Sequence, residues 1–273
     1  MTNKYIIDFY NHYDEESRLS SKHGSVEFLT TMHYINKYLS KGDKIIEIGA
    51  GTGRYSHALA MQGYSVDAVE LVEHNIDIFK EKIVPEENIS ITQGNALDLS
   101  ALQSDIYDMT LLLGPMYHLY NDNDKRRALS EAIRVTKPGG IVIAAYVISD
   151  GCLIDDGFYR ENIDIDYYIK SGLIDGETFA ASSEPKDLFE LVRKEDIDKL
   201  MSSFDVTRLH YAASDGCALL MRERLDKMDD NMFDLYLKYH LSVCERSDMV
   251  GFTSHSIDVF RKNQSITISS QNK

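Results

Sequence analysis

Three short stretches of this chain carry residues suited to chemistry. The first is Glu47-Ile48-Gly49-Ala50-Gly51-Thr52-Gly53, an acid followed by glycines at alternate positions. Glycines let the backbone turn sharply and let a ligand approach with no Cβ in the way, while free N–H groups at a following helix start attract a negative group. The second is Glu70, closing the apolar run Tyr64–Glu70, where a carboxylate can take both ribose hydroxyls of an adenosine through charge-assisted hydrogen bonds. The third is Leu113-Gly114-Pro115-Met116-Tyr117-His118-Leu119. A neutral imidazole such as His118 can take a proton from a hydroxyl, thiol or ammonium near pH 7, and Tyr117 can orient a substrate or wall its pocket. His118 equally suits a packing or helix-capping role.

These stretches must be positioned by the elements around them. Apolar side chains at Val26, Leu29, Met32, Ile35, Tyr38 and Leu39 recur at helical spacing from Ser25 to Ser40. Strand Lys44–Ile48 leads into the glycines, helix Arg54–Gln62 leaves them, and strand Tyr64–Glu70 follows. The alternation continues with a helix over Glu73–Ile83, strands over Ile89–Gln93 and Tyr107–Leu113, a helix over Asp124–Val135, a Lys137-Pro138-Gly139-Gly140 turn and the strand Ile141–Ile148. Runs such as MTLLL and IVIAAYVI are apolar on both faces, as strands of a parallel sheet covered by helices must be.

After Ser149 the rhythm breaks, and Asp150–Pro185, rich in Gly, Asp and Tyr, reads as an insertion or lid whose Tyr159, Tyr167 and Tyr168 could build an acceptor pocket. A helix over Lys186–Met201, a strand over Phe204–Tyr211, helices near 218–228 and 231–245 and a last strand over Thr253–Phe260 complete the pattern. An Asp215-Gly216 hairpin running into the following apolar residues is the competing last strand. The expected class is α/β, a Rossmann-like, seven-stranded, mostly parallel sheet with its last strand antiparallel. Its parts are an N-terminal helical segment (1–42), a core (43–149), a lid insertion (150–186), a C-terminal part of the same domain (187–263) and a polar tail (264–273).

The glycine stretch opens a helix at the carboxyl end of a strand, which is where open α/β sheets bind ligands. A dinucleotide fingerprint needs a glycine at the sixth position counted from Gly49, and that residue is Arg54. Glu47 would repel a diphosphate and suits the cationic amino-acid end of a ligand instead.

With Glu47, Gly49, Gly51, Gly53 and Glu70 so placed, the frame from Asp43 to Ile148 resembles the class I S-adenosylmethionine-dependent methyltransferases of the small-molecule, type 11, UbiE-like kind. The resemblance implies S-adenosyl-L-methionine as cofactor, with ribose on Glu70 and the donor bordered by Ala50, Leu71, Ala96, Leu113 and Gly114. The stretch Gly94-Asn95-Ala96-Leu97-Asp98-Leu99 is similar to the family's third-strand motif, with Asn95 where an acid usually accepts from the adenine amine. Asn95 serves equally well as a turn residue. Related enzymes fold an N-terminal segment over the donor, which would bring Tyr13 to the sulfonium side and Arg18 to the donor's carboxylate. Nucleic-acid amino-methylating members carry Asn/Asp/Ser-Pro-Pro-aromatic where this chain has Gly-Pro-Met-Tyr. The expected reaction is therefore methyl transfer to an O, N or S atom of a small molecule. Two readings stay open beside it, an NAD(P)-dependent oxidoreductase and a non-catalytic S-adenosylmethionine-binding module.

Composition sets outer bounds. The 273 residues hold 29 Lys and Arg against 44 Asp and Glu, a formal charge of −15, which disfavours a phosphate backbone as partner. The three cysteines are odd in number and widely spaced, without a CxxC, so neither a disulfide framework nor a zinc ribbon is expected. The histidines show no paired ligand spacing, and no metal is expected. With no signal-like N-terminus and no apolar run near the ~18 residues of a membrane span, a cytoplasmic protein without a membrane partner is expected. Oligomeric state is not legible.

Overall fold

The computed structural model describes residues 2–13 and 20–264. Two helices lead, α1 (Thr2–Tyr10) and α2 (Lys22–Tyr38). The strands and helices of the core follow as β1 (Lys44–Ile48), α3 (Arg54–Met61), β2 (Ser65–Glu70), α4 (Glu73–Glu81), β3 (Asn88–Gln93), β4 (Tyr107–Leu112), α5 (Asp122–Val135) and β5 (Thr136–Ile148). Beyond them come α6 (Ser149–Cys152), α7 (Ile165–Lys170), β6 (Leu191–Val192), α8 (Lys194–Met201), β7 (Val206–Ala213), α9 (Arg222–Asp226), α10 (Asp230–Val243) and β8 (His255–Lys262).

Local chemistry accounts for the helix starts. Ser21 accepts from the Gly24 N–H ahead of α2, Asn121 from Asp124 ahead of α5 and Asp229 from Met232 ahead of α10, each satisfying an otherwise orphaned amide. α5 also carries Asp122 and Asp124 in its first turn and Arg134 in its last, both favourable to the helix dipole.

The sheet runs β3-β2-β1-β4-β5-β8-β7, with the two-residue β6 pairing beside the end of β5. All pairs are parallel except those of β8, which lies antiparallel between β5 and β7. The expected mostly parallel sheet with an antiparallel last strand is thus the observed one, and β6 is the addition. Alternation divides the core by face. Ile46, Ile48, Leu112, Val142 and Ala144 pack with Leu129 of α5 and Ile197 of α8, whereas Ile45, Leu111 and Ile143 pack with Ile35 of α2 and Leu59 of α3. The central strands are therefore apolar on both faces, and the exposed, polar β3 (NISITQ) is an edge.

Two local expectations are corrected, and the competing assignment of the last strand is not realised. The helix expected over Lys186–Met201 begins only at Lys194, because Leu188 takes φ 68°, which no helix passes through, and Leu191–Val192 is drawn into pairing with β5. The Lys137-Pro138-Gly139-Gly140 turn lies inside β5, where the register against β4 shifts. Asp215-Gly216 makes no hairpin; the chain turns there and enters α9, and the last strand starts at His255. Between Asp150 and Pro185 the expected strand-poor insertion holds α6, a wide π-type turn over Leu153–Tyr159 and α7, followed by turns.

Leu111 is fully buried at the middle of the sheet, and Met61 is 62% exposed. Leu111→Ala should destabilise the fold by about 2–5 kcal/mol. Met61→Ala should stay within about 0.5 kcal/mol. Urea denaturation followed by circular dichroism checks both.

Candidate active site

The bend after β1 is built from its glycines. Gly49, Gly51 and Gly53 take φ of 76°, 53° and 88°, a region closed to most side chains. Space imposes a second constraint. A Cβ on Gly49 would stand 2.6 Å from Cδ of Pro115, and one on Gly53 2.3 Å from the Phe79 ring, so the bend is pressed between the loop after β4 and helix α4. The N–H groups of Gly49 and Ala50 donate to the Val69 carbonyl at 2.8 and 3.1 Å, which fastens the bend to β2.

That attachment brings Glu70 under the bend. Its Oε2 accepts from the Gly51 N–H at 2.8 Å and its Oε1 from the Val72 N–H at 2.9 Å, with the Asn75 amide N–H reaching Oε1 at 3.4 Å. The carboxylate is only 6% exposed, and burial raises its pKa against the opposing pull of the amide donors. A cavity of about 310 Å³ opens over it, and Gly49, Gly51, Glu70, Leu71, Asn95 and Ala96 line one side. Asn95 already spends one lone pair of its amide oxygen on the Leu97 N–H at 2.9 Å.

Gly114, Tyr117 and His118 also line the cavity, from the loop after β4 in which Pro115–His118 forms a single 3₁₀ turn. Tyr117 donates its hydroxyl to the Leu113 carbonyl at 2.9 Å. His118 is 7% exposed, and burial pushes its pKa down to about 4. Its Nδ1 lies 2.9 Å from the Leu188 carbonyl, which can only accept, so the proton sits on Nδ1. Nε2 then carries the lone pair and accepts from the Tyr10 hydroxyl at 3.1 Å.

Tyr10 is the residue that sequence reasoning missed. With Asn3 and Ile6 it forms the cavity-facing stripe of α1, at spacings of three and four residues. That spacing was readable in TNKYIIDFY, but so short a helix gave no indication of what it would cover.

Other expected site residues stand elsewhere. Glu47 does not line the cavity; its carboxyl accepts from both the N–H and the hydroxyl of Ser56 and anchors the first turn of α3. Ala50, Gly53 and Leu113 shape the bend and its neighbours from behind. Tyr13 is exposed and stacks on Phe9 with centroids 4.7 Å apart. Arg18 lies outside the described residues. Among the described residues no group of three or more metal-ligating side chains is present, and no helix is long and apolar enough to cross a membrane.

The acceptor set fits an adenosine. Glu70 offers acceptor capacity to the cavity, and Asn75, another lining residue, has a buried amide oxygen with no partner. Buried acceptors call for donors, and a ribose diol supplies two. No lysine or arginine among the described residues lines the cavity, so a diphosphate would meet carboxylate without compensation.

Comparisons with known proteins agree. Residues 45–140 match the family model described as a methyltransferase domain. These residues form a class I S-adenosylmethionine-dependent methyltransferase domain. S-adenosyl-L-methionine is the cofactor of this family of enzymes. A demethylmenaquinone methyltransferase of Clavibacter sepedonicus is 29% identical over 102 residues, 37% of this chain and 40% of that protein's own length. One from Staphylococcus aureus is 25% identical over 203 residues, covering 71% of this chain and 80% of its own. The structure of a SAM-dependent methyltransferase from Methanosarcina mazei superposes with a TM-score of 0.56 at 16% identity, over 85% of this chain and 97% of that one, a likeness of fold.

The state of Glu47 gives this domain a measurable pH signature. Burial pushes its pKa up to about 8, so the folded chain holds a proton that the unfolded chain releases near its ordinary value of about 4.5. The stability this contributes is fully present below the unfolded pKa and is lost as pH rises through about 8. Thermal unfolding should therefore show a falling melting temperature between pH 5 and pH 9, and Glu47→Gln should flatten that fall.

Proposed function

We propose that this chain transfers the methyl of S-adenosyl-L-methionine to an O, N or S atom of a small molecule held between the donor and His118. The observation that carries the reading is one cavity with Glu70 on one side and the Tyr10–His118 pair on the other. S-adenosyl-L-methionine, when bound, supplies a methyl already activated on a sulfonium, so the protein's work is to position, to exclude water and to accept a proton.

In this reading the Glu70 carboxylate and the Asn75 amide hold the ribose, and Gly49 and Gly51 let the donor approach the bend. His118 Nε2 takes the acceptor's proton, directly or through the Tyr10 hydroxyl. A base held near pKa 4 cannot strip an ammonium, which keeps its proton to about pH 10. It suits a hydroxyl, whose proton becomes strongly acidic as the oxygen takes the methyl. A hydroxyl or thiol acceptor is therefore favoured over an ammonium. The NAD(P) reading is disfavoured by the lack of a lysine or arginine among the described residues of the cavity wall and by Arg54, whose guanidinium lies 4.8 Å from the Phe28 ring centroid.

Thermal shift with S-adenosylhomocysteine should raise the melting temperature, and NADH should not. Stabilisation by NADH alone would overturn the cofactor assignment. Glu70→Ala removes a charged acceptor worth about 1.5–3 kcal/mol per hydrogen bond, so S-adenosylhomocysteine should bind roughly 10–100-fold more weakly. His118→Ala should bind it normally yet slow transfer from labelled donor into a metabolite extract by roughly 10²–10⁴-fold. Transfer at the wild-type rate would remove His118 as base. No transfer by the wild type, despite tight binding, would favour a non-catalytic module.

A further inference from the structure

Leu188 is a non-glycine residue in the left-handed half of backbone space, with φ 68° and ψ −44°. The Phe189 N–H donates to the Asp187 carbonyl two residues back at 2.9 Å, so Leu188 is the centre of the rare γ-turn with positive φ. Such a conformation is costly and persists only where its surroundings over-determine it.

The surroundings here do so on both sides of the turn. Before it, the Glu184 N–H donates to the Asp187 carboxylate at 2.7 Å and the Asp187 N–H returns to the Glu184 carbonyl at 2.8 Å. After it, the Phe189 ring packs on His118 with centroids 5.4 Å apart, and the Glu190 N–H donates to the Tyr117 carbonyl at 2.8 Å. The Glu190 carboxylate is held by Lys125 at 2.6 Å, with both side chains close to nine-tenths buried. The strained peptide is thus pinned to the same 3₁₀ turn that carries His118. Its carbonyl receives both the His118 Nδ1–H and the Tyr120 hydroxyl.

A histidine side chain in water prefers its proton on Nε2, and what reverses that preference in a protein is an acceptor placed at Nδ1. We propose that the Leu188 carbonyl, aimed by the strained 187–189 turn, is the positioning group that fixes His118 as the Nδ1–H tautomer and so turns the Nε2 lone pair toward the methyl acceptor. This rests on the reading in which His118 takes the acceptor's proton, and it adds the group that makes the histidine competent for that task. A freely rotating imidazole would spend most of its time with Nε2 protonated and its lone pair on Nδ1 instead.

The test reads the tautomer itself, on ligand-free full-length protein labelled with ¹⁵N in histidine. Long-range ¹H–¹⁵N correlation at pH 7, with the His118 signals assigned by their loss in His118→Gln, should show a protonated Nδ1 and a bare Nε2. Leu188→Pro fixes φ near −65° and cannot form this turn, so the Nδ1–H preference should disappear. Leu188→Gly adopts positive φ freely and should keep it. S-adenosylhomocysteine affinity, read by calorimetry, should be the same in the wild type and both variants. A wild-type His118 protonated on Nε2, or an Nδ1–H preference undiminished in Leu188→Pro, overturns the proposal. Should Leu188→Pro not fold, the wild-type and Leu188→Gly spectra still decide it. Failure of the wild type to bind S-adenosylhomocysteine would sink the cofactor reading while leaving the tautomer measurement standing.

Discussion

The Glu70 carboxylate, drawn under the glycine bend by two backbone amides, is the constraint from which the rest of the site follows. Gly51 donates to one oxygen and Val72 to the other, so a single side chain ties the loop after β1 to the loop after β2. Taking a carboxylate out of water is costly, and the amide dipoles offset only part of that cost, as its raised pKa shows. A ligand that donates hydrogen bonds to this group relieves the remainder. The same bend needs Gly49 against Pro115, which carries the constraint across to the loop that holds His118.

The two walls of the cavity differ in which segments build them. The Glu70 side stands on strand ends inside the parallel sheet, where β1 pairs with β2 on one edge and β4 on the other. The His118 side is assembled from three segments distant in sequence: the 3₁₀ turn after β4, helix α1, and the stretch 184–190 that follows the helical insertion. Aromatic contacts among Phe9, Tyr10, His118 and Phe189 hold these together. One wall thus comes from the common sheet and the other from segments added around it, which is where function on a common fold resides.

The sheet and the glycine bend were legible because their signals are local. β1 matched the expected Lys44–Ile48, and the runs around β2, β4 and β5 differ from expectation chiefly at their ends. Glu70, Gly49 and Gly51 were found from strand-turn-helix placement, and they line the cavity. Spacing shows that Glu47 stands before the glycines and not where its oxygens point; one of them, Oε2, takes the Ser56 amide and hydroxyl, outside the cavity lining. Tyr10 was missed for the converse reason. Its partner His118 is 108 residues away, and no periodicity in either segment encodes that meeting. Leu188 was hidden further still, since a leucine carries no mark of a positive φ imposed by its neighbours.

The central claim is that the cavity between Glu70 and His118 seats an adenosyl sulfonium. A crystal structure of the chain soaked with S-adenosylhomocysteine tests it most directly. The account predicts ribose hydroxyls on the Glu70 carboxylate and the sulfur turned toward Tyr10 and His118. A ribose bound elsewhere, or a bend that accepts only a diphosphate-bearing nucleotide, would contradict it.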